Sequence, residues 1–373
     1  MTMTRRNWRH QRRQRIGHRK KRPENAWGRR FRFVTALGKG WSRFWFQPTD
    51  PSTLGAIRLC TGLVLLYGYL SWAPWVLDFV GPQAWIDASA MQDLRTAARP
   101  LLSTGSRMDH RWWTPSVWFY VQDPQWIWVL YAAFLLAILC FTMGLMSRLT
   151  SVIVWIGHLS FIARSYVTAY GLDTILALLT FYLMLGPSGR AISLDALIRR
   201  RTADIPEEPS PTFVPAPKLS WSANTVIRLI QVHLCIIYFF SGIAKFQGAS
   251  WRGGGAIWHA IMLDDLVTFD LRWLGTLVDS RIGLVCRPIA LTLVAFEISF
   301  AFLIWSRRVR PFVLFGALML HLGIAIFMGL VAFSVAMLTC CLAFVPPATI
   351  RGIIVLCSVP QWRRRPIGVI APR

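Results

Sequence analysis

The sequence predicts an all-α fold, a polytopic helical bundle integral to a membrane, on three observations. The 373 residues are 54% hydrophobic and only 16% charged, with mean hydropathy +0.44, whereas soluble domains average about 25% charged residues. The apolar residues fall in long continuous runs, which suits spanning helices and argues against the period-two pattern of a β-barrel. Lysine and arginine are also distributed unevenly. Residues 1–52 hold 15 of the 41, against two acids, Glu24 and Asp50.

In chain order, residues 1–52 read as a basic cytoplasmic tail that fixes orientation. Val34, Leu37, Trp41, Phe44 and Trp45 recur there at helical spacing, which predicts an interfacial helix before the first span. Residues 53–347 form the transmembrane domain, with spans at 53–73, 126–146, 149–166, 172–187, 223–246 and 287–305. Residues 311–350 then run for forty positions without Asp, Glu, Lys or Arg, long enough for a two-span hairpin bending near Gly329. The Pro-rich stretch 188–222 is a linker, and 348–373 is a second basic tail. With the N-terminus inside, the inner segments carry 29 Lys and Arg and the two long outer loops carry eight, against nine acids. About eight spans with both termini cytoplasmic follow from the positive-inside rule.

The seven cysteines sit almost entirely within apolar runs and lack metal-ligand spacing, so they read as packing residues with no disulfide framework and no metal site. No P-loop, dinucleotide fingerprint, HExxH motif or nucleophile elbow is present. The basic tail lacks a folded reading module, so anionic lipid is its expected partner and no specific nucleic acid is expected.

The residues that can carry chemistry are few. Lys245 ends the apolar run of 223–246 and precedes a Gly- and Trp-rich turn containing Trp251. Arg228 and Lys245 are 17 residues apart, about 25 Å of helix, so both are able to snorkel to opposite interfaces. The other reading is a partly buried amine acting as a base, with Tyr238 on the same helix face. Glu297 and His321 lie mid-span, where polar groups are expensive and face the bundle interior. They are expected to pair with each other or with Arg58, His158 or His233, either as a packing cluster or as a proton-transfer group. Arg164 and Asp173 flank a short outer turn and are expected to form an ion pair across it. Ser193 or Asp195 is expected to cap a helix at the inner face.

The run YFFSGIAKFQGASWRGGGAIW resembles the core motif of the HTTM proteins, whose membrane domain is shared with vitamin K-dependent γ-glutamyl carboxylase. DPSTLGAIRLCTGL, SYVTAYGLD followed by SLDAL, and HLGIAIFMGLVAFSVAMLTCCLAFVPP resemble other segments of that family in the same order, over roughly residues 50–347. The chain departs from the carboxylase at Ala163-Arg164, where that enzyme carries Asn-His. The resemblance implies a lipid quinol, similar to vitamin K hydroquinone, as cofactor. It implies Lys245 as the base that deprotonates it on the extracytoplasmic side. Beside it, the residues themselves offer Glu297 and His321 as further candidate catalytic groups and Tyr238, Trp251 and Arg58 as candidate substrate contacts.

The function expected from this is a quinol-dependent carboxylase or epoxidase-like enzyme in the bilayer, in the plasma membrane of a bacterium. The alternative is a non-catalytic maturation, assembly or immunity factor. A transporter ranks last, because no internal repeat is visible.

Overall fold

The computed structural model describes residues 26–97, 116–202, 218–262 and 282–357. The expected basic segments 1–25 and 358–373, and the middle of the expected linker at 203–217, lie outside the described residues. The chain divides into two compact units, residues 1–47 and 48–373. In the first, α1 (Ala26–Phe46) is the expected amphipathic helix. It leaves Leu37 and Trp41 exposed, with Trp45 tilted against Trp41 and edge-on to Phe44.

The second unit is helical throughout, with no β-strand among its described residues. Helix α2 (Ser52–Trp72) starts after Asp50, whose Oδ1 accepts the Ser52 N–H at 2.8 Å. A bent continuation, α3 (Val76–Val80), leads to α4 (Ala88–Ala97). Helix α5 (Pro124–Met143) has no charged residue. Asp123 caps it by accepting the Gln125 N–H at 2.7 Å, with Pro124 in the first turn, where its missing N–H costs nothing. Helices α6 (Ser147–Arg164) and α7 (Gly171–Leu185) return across the bundle, and a short α8 (Leu194–Thr202) follows. Helix α9 (Trp221–Gln247) begins at the Ser220 cap. The turn beyond it folds into α10 (Ala249–Gly253) and α11 (Gly255–Ile261). The last four helices are α12 (Ile282–Leu303), α13 (Arg310–Met328), α14 (Val331–Cys341) and α15 (Pro347–Cys357).

Two groups of helices share one core. In the first, α2 packs against α5, α7 and α14, and α6 lies between α5 and α7. In the second, α9 lies along α12, and α13 packs against α12 and α14. Leu54, Ile57, Tyr131, Phe141, Phe161, Leu234 and Phe300 are fully enclosed between them.

Five helices are long and apolar enough to cross a membrane: Ser52–Val80, Pro124–Met143, Trp221–Gln247, Leu284–Leu303 and Arg310–Met328. Their outer faces are as apolar as their inner ones. Only 17% of the apolar window of Arg310–Met328 is buried, and Phe312, Phe315, Leu318 and Leu322 are exposed on it. A helix apolar all round has its outward face solvated by lipid or by protein. Some hydroxyls inside the bundle return to their own backbone, as Thr142 does to the Ile138 carbonyl and Thr180 to that of Leu176, both at 2.7 Å. That is how polar groups are satisfied where water is absent.

The hairpin expected over 311–350 bends at Gly329, as its sequence suggested, but its second limb is broken. Val331–Phe344 and Pro347–Ile354 meet at 120°. Pro346 and Pro347 explain the break, since a helix ends before a proline. The 15-residue α7 is a shorter apolar helix.

The expected Arg164–Asp173 ion pair does not form. Asp173 is taken up by its own helix start, where Oδ2 accepts the Tyr170 N–H at 2.9 Å. Arg164 donates instead to the carbonyls of Ile86 at 3.0 Å and Gly81 at 3.5 Å.

The entry to α2 is held from two distant parts of the chain. Thr49 and Ser220 exchange backbone hydrogen bonds at 3.0 and 2.8 Å in an isolated antiparallel bridge. Asp50 Oδ2 accepts from Arg351 Nη1 on α15 at 3.0 Å.

Candidate functional site

Gly242 allows the site to form. It lies one turn before Lys245 on α9, where a Cβ would stand 2.7 Å from Ile298 Cγ1 and 3.1 Å from Glu297 Cβ on α12. Without a side chain there, the two helices approach closely enough for Lys245 Nζ to meet Glu297 Oε1 at 2.5 Å. The amine also donates to Ser241 Oγ, four residues back on its own helix, at 3.0 Å. It is therefore turned along α9 into the bundle rather than extended towards an interface. The Lys245 side chain is 26% exposed and that of Glu297 7%. Trp251, on α10, places its ring centroid 5.2 Å from the amine, within cation–π range. The turn carrying Trp251 closes onto α12 through Gly254, whose φ of +86° is open to glycine and strained for other residues.

Two turns back along α9, the Tyr238 hydroxyl is hydrogen bonded to His321 Nε2 of α13 at 2.8 Å. The Tyr238 ring stacks on Phe300 with centroids 4.0 Å apart and planes 13° from parallel, and the Cys341 thiol lies near its hydroxyl. Glu297 and His321 are both buried. Each keeps one atom without a hydrogen-bond partner, Oε2 of Glu297 and Nδ1 of His321. A buried polar atom left unpaired costs about 1–3 kcal/mol, so two of them in one cluster are groups awaiting a ligand or water.

The structure thus joins Lys245 to Glu297 and Tyr238 to His321, with Trp251 over the amine. It does not join Glu297 to His321, nor either of them to Arg58, His158 or His233. His158 Nδ1 is bonded to Tyr69 at 2.8 Å, and its Nε2 lies 3.0 Å from the Asp173 carbonyl. His233 Nδ1 is bonded to Tyr182 at 2.7 Å. All three of these histidines therefore find a tyrosine on another helix, a neutral partner that satisfies an imidazole without burying a charge. Ser241, Phe300 and Cys341 are site neighbours that sequence reasoning missed. Only Ser241 carried a signal, its position four residues before Lys245.

Arg58, expected near the substrate, belongs to a different junction. It is fully buried. Its Nη1 donates to the Ser188 carbonyl at 2.7 Å, and its Nη2 donates to that of Ile192. The neighbouring Asp195 accepts from Met146 N at 2.8 Å, Ser147 N at 2.9 Å and Ser147 Oγ at 2.7 Å, so it caps α6 rather than its own helix. Ser193 caps α8, accepting the Ala196 N–H at 3.0 Å.

Partial burial pushes the Asp195 carboxyl up, but the bonds from Ser147 and Met146 outweigh it and hold the group below its usual range. A carboxylate held down in the folded state contributes stability that is fully present above its unfolded value, about pH 4. That contribution is lost as the pH falls through the folded pKa. Asp195→Asn is therefore expected to lower the melting temperature at pH 7 and to narrow that difference below about pH 4, as read from unfolding curves in detergent across pH.

Compared with known proteins, the chain has no match among family models, curated proteins or solved structures. No group of three or more His, Cys, Asp or Glu residues is gathered in a metal-binding arrangement among the described residues.

Proposed function

We propose that the chain is an HTTM-type multi-pass protein of the bacterial plasma membrane that deprotonates a lipid-soluble quinol at Lys245 and Glu297. In this reading eight helices cross or enter the bilayer, both termini are cytoplasmic, and the site lies towards the extracytoplasmic side. The basic α1 rests on anionic lipid headgroups. The observation that carries the proposal is the Lys245–Glu297 pair, set in one cluster with two unpartnered buried atoms.

The residues fit such a ligand. Lys245 Nζ lies against Glu297 Oε1, so a proton taken up by the amine has a carboxylate oxygen beside it. The amine is the group placed to accept the proton of a quinol hydroxyl, and Glu297 Oε2 and His321 Nδ1 are open to hydrogen bond the ligand's oxygens. Trp251 supplies an aromatic face beside the amine. When bound, the quinol would be the reductant whose reaction with oxygen supplies the strong base for carboxylation, the quinol itself leaving as an epoxide.

The second reading is a non-catalytic assembly or maturation factor. Its support is the Gly242 contact, which joins α9 to α12 with or without a ligand. Native mass spectrometry in mild detergent separates the two. The expected result is a quinone retained by the wild-type protein and lost from Lys245→Ala and Glu297→Gln. A wild-type protein that retains none, or variants that retain it equally, would remove the quinol reading and leave the assembly role.

A further inference from the structure

A second built site lies away from Lys245, at the end of α6. Val80–Pro82, Asp87–Ser89, Trp118–Phe119, Val121–Gln122 and Arg164 enclose a cavity of about 200 Å³. Arg164 is only 1% exposed. Its bonds to Ile86 and Gly81 leave Nε without any partner. Among the described residues it has no carboxylate within ion-pair distance. A buried guanidinium with an idle N–H and no carboxylate in direct contact is costly as a purely structural element. It also suits recognition of carboxylate or phosphate groups.

The opposite charge is present in the same cavity without touching it. Asp87 Oδ1 caps α4, accepting from Ala90 N at 2.7 Å and Ser89 Oγ at 2.8 Å. The Ala90 bond first, and the Ser89 hydroxyl next, hold its carboxyl below the usual range, so it is ionised at neutral pH. A free inorganic anion would gain from Arg164 and lose to Asp87. A molecule carrying both charges gains from each. Trp118 and Phe119 supply aromatic walls, and the Arg164 guanidinium lies 5.7 Å from the Phe119 ring centroid. The space is smaller than the roughly 300–1,000 Å³ of sites for drug-sized ligands, which restricts the occupant to a short molecule or a headgroup.

We propose that this cavity binds a small zwitterion, with an oxyanion on Arg164 and an ammonium on Asp87. The same chemistry occurs in a free solute and in an aminophospholipid headgroup.

Isothermal titration of the full chain in detergent with O-phosphoethanolamine, and with methyl phosphate as the probe lacking the ammonium, tests it. Wild type is expected to bind phosphoethanolamine saturably and more tightly than methyl phosphate. Asp87→Asn keeps the helix cap, because asparagine caps as well as aspartate. It is expected to weaken phosphoethanolamine about fivefold, the upper range for an ion pair with an exposed partner, while leaving methyl phosphate unchanged. Arg164→Gln is expected to abolish both. No saturable binding by wild type, equal affinity for the two probes, or an Asp87→Asn variant indistinguishable from wild type would each overturn the proposal. Repeating the titration in nanodiscs with and without phosphatidylethanolamine identifies the source. Competition by the lipid assigns the site to a headgroup, and undiminished binding assigns it to a solute.

Discussion

Lys245→Met is expected to destabilise the protein by about 3 kcal/mol, because it strands a buried carboxylate. Glu297 is almost entirely enclosed between α9 and α12, and only the Lys245 amine satisfies its Oε1. Glu297→Leu should cost less, since the Lys245 amine keeps some access to water and retains Ser241 as an acceptor. The double variant should regain most of the loss, because replacing both members of a buried pair by apolar groups is often close to neutral. Thermal or denaturant unfolding of the four proteins in one detergent measures this cycle. If the double variant loses as much as the two singles summed, the pair has no coupling and the short contact does not exist in solution. The same double variant separates structure from chemistry: it should fold and yet retain no quinone.

Arg58→Met should be nearly as severe, about 3–5 kcal/mol. The guanidinium holds the carbonyls of Ser188 and Ile192, on a segment between α7 and α8 whose regular structure is a single 3-10 turn, Ser188–Arg190. Removing it leaves the buried Ser188 carbonyl and the half-buried Ile192 carbonyl without their donor and detaches that loop from α2. Arg58→Lys should not rescue, since one ammonium on a flexible stem does not reproduce a planar fork with two separate donors. Melting temperature and the rate of proteolysis between residues 186 and 193 report it. A variant as stable and as resistant as wild type would show that the loop is held by other contacts.

The helices were legible because lipid imposes a length. An apolar run of about 20 residues states a span almost by itself, and the run from Pro311 to Ile350 contained a glycine where the bend falls. The break after Phe344 was also visible, as Pro346-Pro347, but the continuous hydrophobicity of that stretch concealed it. At the site, Lys245, Tyr238 and Ser241 were readable as one helix face because 3.6-residue periodicity is local. That Glu297 meets Lys245 while His321 meets Tyr238 was not readable. Partners on different helices share no spacing, and four polar groups allow several pairings. Arg58 illustrates the same limit from the other side. A lone arginine in an apolar run looks alike whether it awaits a substrate or fastens a loop, and only the positions of Ser188 and Ile192 decide. Arg164 and Asp173 were close enough in sequence to suggest an ion pair, yet each had a nearer backbone partner.

The clamp on Thr49 and Asp50 has a consequence for the order in which the protein is made. The ribosome delivers this segment before α2, but Ser220 emerges only after α2 to α8 and Arg351 only with α15. Helix α2 is therefore made with its own boundary unfinished, and its start becomes fixed only when Ser220 and then α15 arrive. Insertion runs from the N-terminal side forward, whereas closure of the bundle runs the other way, from the end of the chain to its beginning.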